Sequence, residues 1–142
     1  MTNSKKFYFF IFYLVLAGCD NADVDIAEEK VQEFHSKYNE KNFDNIYDSM
    51  LSKEFKESMN KNNGVSFMNN VYDMFGGYQY GELKKTNIIT GFVGGEKIEL
   101  FYYSSYKKYI LNELFVLKKE NDNYKIIKIE YSNTRVRNDK QR

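Results

Sequence analysis

Proline and tryptophan are absent from the 142 residues, and cysteine and histidine occur once each. Without proline, a common breaker is missing, so glycine and asparagine must make the turns. A single cysteine excludes an intramolecular disulfide, and one histidine with no cysteine or second histidine at ligand spacing excludes the familiar zinc sites. No Gly-x-Ser-x-Gly elbow accompanies His35, so no Ser-His-acid set can be assembled from spacing. An excess of one charge is missing too: 21 Lys and Arg stand against 20 Asp and Glu. That near balance lacks the basic stripe a nucleic-acid surface needs, and no nucleic-acid partner is expected. The one long apolar run, Phe7 to Leu16, is about half of the ~20 residues that a bilayer span requires.

What is present begins with that run. Lys5 and Lys6 precede it, Leu16-Ala17-Gly18-Cys19 ends it, and Asp20, Asn21 and Asp23 follow. A positive n-region, a short apolar h-region and small residues at a cleavage point make a secretory signal peptide over residues 1–18. Leu-Ala-Gly-Cys resembles the bacterial lipoprotein box. The resemblance implies a diacylated Cys19 thiol, cleavage before Cys19 and an acyl group, such as palmitate, on the new N-terminus. The sole cysteine stands at the one position the box requires, which favours lipidation over an ordinary cleaved signal. Several acyl chains together hold a protein stably, where one alone binds marginally. Asp20 after the cysteine resembles the signal that retains lipoproteins at the periplasmic face of the inner membrane, with the outer membrane as the alternative.

Residues 19–25 are expected to form a short polar tether, 26–132 one domain, and 133–142 a flexible basic tail carrying Arg135, Arg137, Lys140 and Arg142. Ala27, Val31, Phe34 and Tyr38 recur at helical spacing, with Asp25 as the cap and Glu28 completing a capping box. Phe43, Ile46, Tyr47, Met50 and Leu51 predict a second helix over 42–62 that bends at Ser52 and stops at Asn62-Asn63-Gly64. Ser66 is placed as the cap of a third helix that ends at Gly76-Gly77.

From Tyr78 the apolar period becomes two. Strands are expected at 80–90, with Gly81 a candidate bulge, and at 97–103, 109–118 and 124–131, joined by the 91–95, 104–108 and 120–123 connections. Gly91 to Gly95 lacks the Lys-Ser/Thr of a phosphate loop and lies between strands, so it is a turn. The 13 tyrosines and 12 phenylalanines favour a half-buried pleated surface. Helices followed by strands predict an α+β fold, with N-terminal helices packed on a curved antiparallel sheet of about four strands.

Phe43-Asp44-Asn45-Ile46-Tyr47, the second helix ending at Phe55, the glycine-terminated third helix and the last strand Asn123-Tyr124-Lys125-Ile126-Ile127 together resemble the nuclear-transport-factor-2-like (cystatin-like cone) superfamily. The likeness is to its small bacterial lipoproteins of unknown function, over residues 25–132. It implies a cone-shaped sheet, and some enzymes of the superfamily place a carboxylate base and a tyrosine inside the cone. Candidates here are Glu99, Glu113 or Asp73 with Tyr102, Tyr103 or Tyr131. Carboxylates on alternating strands more often face solvent, and His35 among charged neighbours is expected to be solvated or partly packed. No catalytic residue, metal or cofactor is therefore assigned. Tyr102, Tyr103, Tyr106 and Tyr109, with Lys107 and Lys108 among them, are the candidates for contact with a protein partner, since tyrosine adds rigid contact area at modest entropic cost. The expected function is a non-catalytic, lipid-anchored envelope protein that binds a protein or envelope component, as in stabilising a complex or conferring immunity to a toxin. The alternative is a small-molecule-binding or enzymatic cone.

Overall fold

A computed structural model describes residues 19–91 and 93–136, with side chains from 22 onward to 132. Helices α1 (Cys19–Asn39), α2 (Phe43–Asn45), α3 (Lys53–Ser58) and α4 (Lys61–Phe75) precede strands β1 (Tyr78–Gly91), β2 (Gly95–Tyr106), β3 (Tyr109–Glu120) and β4 (Asn123–Val136). The strands pair in sequence order as one antiparallel meander, β1-β2-β3-β4. The helices pack on one face of this curved sheet, which is the α+β arrangement that the sequence predicts.

Alternation decides the core. Ile98, Leu100 and Tyr102 of β2, Leu111, Phe115 and Leu117 of β3, and Ile126 of β4 all turn towards the helices and are buried. Ala27, Val31, Phe34 and Tyr38 meet them from α1, and Met68, Val71 and Phe75 from α4. A turn of π-helix, Ile46–Met50, continues α2 and buries Ile46, Tyr47 and Met50. Ser52 then restarts the chain as expected: its Oγ accepts from the Phe55 amide at 2.9 Å. The Ser52 amide donates to the Ile126 carbonyl at 2.9 Å, tying the helical layer to β4 beside a parallel bridge between Leu51 and Ile126.

Several boundaries differ from expectation. Helix α1 runs through the segment read as a tether and is already helical at Cys19, the first described residue, so Asp25 is not its cap. No proline or glycine stands in 19–25 to break the helix. Asn62-Asn63-Gly64 is not a stop but the first turn of α4, because Asn60 is the cap and its Oδ1 accepts from the Asn63 amide at 3.0 Å. Ser66 consequently lies inside the helix. Gly64 is needed where it stands, since a Cβ there would come within 2.8 Å of the Tyr47 ring. Gly81 is not itself the bulge; register shifts lie on either side of it, between Tyr78 and Tyr80 and between Leu83 and Lys85. Strand β4 extends to Val136, pairing Arg135 with Ile110, so 133–136 belong to the sheet rather than to a flexible tail. Asn121 and Asp122 both take positive φ, 48° and 63°, as a two-residue turn of the primed kind demands. The segment read as a signal peptide, 1–18, and the end of the expected basic tail, 137–142, lie outside the described residues.

Candidate functional site

The period-two pattern of the sheet brings one carboxylate indoors. Glu113 follows Leu111 and precedes Phe115 on the helix-facing side of β3, and it is 1% exposed. Tyr102 of β2 stands opposite Glu113, and Ser104 and Tyr106, further along the same face of β2, both donate their hydroxyls to it. From the other side α1 supplies His35, whose Nε2 lies 3.2 and 3.3 Å from the two carboxylate oxygens. That geometry selects the ring form with a proton on Nε2, which donates to the carboxylate. The imidazole stacks on the Tyr78 ring with centroids 3.6 Å apart and planes at 3°, and meets Phe115 edge-on at 5.5 Å. Among the described residues no buried side-chain nitrogen or oxygen lacks a partner.

These contacts correct two expectations. His35 is buried rather than solvated or partly packed, and Glu113 is on the core face, not the solvent face. Sequence spacing could not pair residues 78 positions apart. A signal was nevertheless present: Glu113 interrupts an apolar series at i and i+2, Leu111, Phe115 and Leu117. The other carboxylate candidates stay outside the cluster. Asp73 is exposed, and Glu99 accepts from the Asn87 amide side chain at 3.0 Å on the opposite sheet face.

Burial sets the electrostatics of the surrounding tyrosines. It pushes the Tyr106 and Tyr131 hydroxyls well above their ordinary range, and the Glu113 charge adds to this by opposing a second anion. For the same two reasons Tyr78 is pushed up to about 12 and Tyr38 is raised. The unfolded chain releases these protons near pH 10 while the folded chain keeps them, so stability is full below pH 10 and falls as pH rises through 10–12. Melting temperatures should fall across that window, while the tyrosinate absorbance contributed by the buried Tyr106 and Tyr131 rises only as the chain unfolds.

The four partner candidates separate cleanly. Tyr106 is 0% and Tyr102 9% exposed. Tyr106 sits in β2 rather than in a 104–108 loop, because β2 continues to it and only Lys107 and Lys108 turn the chain. Tyr109 is partly buried against Phe75, with ring centroids 5.4 Å apart. Tyr103 alone among them points outward, 42% exposed, with the Lys84 ammonium 5.9 Å from its ring centroid. Next to it the outer sheet face holds a depression of about 320 Å3 lined by Lys84, Lys85, Phe101, Asn112, Leu114, Glu130 and Ser132, with Tyr102 and Glu113 in its floor. The Glu113 side chain is 0% exposed, so its carboxylate does not open into this space.

Among the described residues no group of three or more His, Cys, Asp or Glu could hold a metal ion, and no helix is long and apolar enough to cross a membrane. Neither the protein-family models nor the curated proteins provide a match to this chain.

Proposed function

We propose that the chain is a lipid-anchored, non-catalytic envelope protein that binds a protein partner through the outer face of its sheet. The Leu-Ala-Gly-Cys sequence supports the anchor. One contrast supports the binding role: the Glu113 cluster is sealed and its members satisfy one another, whereas exposed Tyr103 stands opposite Asn112, which lines an open depression with Phe101, Leu114 and the lysines. Tyrosine and aliphatic anchors beside lysines are the composition of a recognition surface rather than of a reaction centre. The nuclear-transport-factor-2-like relationship belongs to the same proposal and rests on element order. So does the periplasmic face of the inner membrane as the place of work.

Capture of a partner from detergent-solubilised envelope tests the surface. Tyr103→Ala and Leu114→Asp should each weaken capture about tenfold or more, in line with the ~1.4 kcal/mol or greater loss typical of a hot spot, while leaving the melting temperature unchanged. Tyr106→Ala should instead lower the melting temperature. Capture indifferent to Tyr103 and Leu114 would sink the surface assignment.

One observation favours a small-molecule cone instead: Glu113 is buried and paired with Tyr106. A ligand at that carboxylate would have to displace Ser104, Tyr106 or His35. Native mass spectrometry that finds a co-purified small molecule in the wild type and not in Glu113→Gln would establish that function in place of partner binding.

A further inference from the structure

The end of the sheet that lies beside the Cys19 end of α1 also carries the most exposed large apolar side chain of the described residues, Val93. Asp23, one turn into α1, accepts from the Lys119 ammonium at 3.2 Å, which fixes the Cys19 end of the helix beside the last residues of β3. Lys118 stands opposite Lys97 of β2, and Lys97 opposite Ile89 of β1. The β1–β2 turn therefore lies at this same end. The Lys118 ammonium is 3.9 Å from the place a Cβ on Gly94 would occupy.

The hairpin end is apolar on both faces. Ile88 pairs with inward-facing Ile98, and Ile89 with outward-facing Lys97, yet both isoleucines are exposed, 41% and 44%, and Val93 is 94% exposed. A strand that belonged only to a core would expose one face. Here the last four residues of β1 are exposed without alternation, so the ribbon projects past the helical layer. Lys97 and Lys118 flank it, and among the described residues neither forms an ion pair within the fold. Asp23 of α1 is already paired with Lys119.

We propose that this hairpin end is a second membrane contact: Val93, Ile88 and Ile89 enter the interfacial layer of the phospholipid bilayer, and Lys97 and Lys118 meet its phosphate groups. This rests on Cys19 being lipidated, and it adds orientation to the anchor. The lipid and the hairpin touch the bilayer together, and the β2–β3 turn, at the opposite end of the sheet, points away from it. Exposed apolar side chains beside lysines are the combination that interfacial binding uses, with burial and attraction to anionic headgroups adding.

The test uses the full chain matured in a lipoprotein-processing bacterium and reconstituted in vesicles of phosphatidylethanolamine and phosphatidylglycerol. Lipidation consumes the Cys19 thiol, so Val93→Cys carries the only reactive thiol and accepts a polarity-sensitive fluorophore. Met74→Cys, 58% exposed near the C-terminal end of α4 and next to the β2–β3 turn, serves as the control. Expected is a blue-shifted emission at position 93 that spin-labelled lipid quenches several-fold more than emission at 74, and that Lys97→Glu with Lys118→Glu reduces. Equal quenching at 93 and 74 on protein whose N-terminal mass shows the lipid would overturn the hairpin contact and leave the anchor standing. A mass without lipid would overturn both.

Discussion

Replacing Glu113 with alanine is expected to destabilise the fold by about 3–5 kcal/mol, the usual cost of removing one member of a buried charge-assisted network. The loss has three sources. Ser104 and Tyr106 lose the acceptor for their hydroxyls, and His35 loses the carboxylate that holds its Nε2 proton. All three remain buried, where an unsatisfied polar group costs about 1–3 kcal/mol. Glu113→Gln keeps the shape and one acceptor oxygen, so its loss should be smaller. Urea unfolding compares them; a Glu113→Ala midpoint equal to the wild type would mean that water, not the protein, satisfies these groups.

Phe115→Ala should cost a similar ~3–5 kcal/mol by opening a cavity between α1 and the sheet. The ring is 0% exposed, meets Phe34 edge-on with centroids 5.2 Å apart, and closes one side of His35. Because Phe115 and Glu113 hold the same imidazole, their effects should not add. The double variant is expected to lose less than the sum of the single losses. Strict additivity in the unfolding free energies would show that His35 is positioned by α1 alone.

The order of elements, the α1 stripe of Val31, Phe34 and Tyr38 and the meander were legible because each is written as a period in neighbouring residues. Caps read with mixed success. Ser52 was legible because its partner, Phe55, is three residues away, whereas Asn60 was hidden by the stronger-looking Asn62-Asn63-Gly64. What the sequence concealed is long-range. His35 and Glu113 meet only after α1 docks on β3; His35 looks like a surface residue between Glu33 and Lys37, and Glu113 like the polar member of an alternating strand. Tyr102, Tyr103 and Tyr106 show the same limit. They look alike in a run of aromatic residues, and only the strand continuing to Tyr106 sends two inward and leaves Tyr103 on the outer face.

The proposed function joins the open sheet face to a lipid on Cys19 that would hold it at a membrane. Mass spectrometry of the N-terminal peptide from membrane-derived protein is the direct measurement. The account predicts Cys19 as the first residue, carrying a diacylglyceryl thioether and an amide-linked acyl chain. A chain that retains residues 1–18, or begins at an unmodified cysteine, would contradict it.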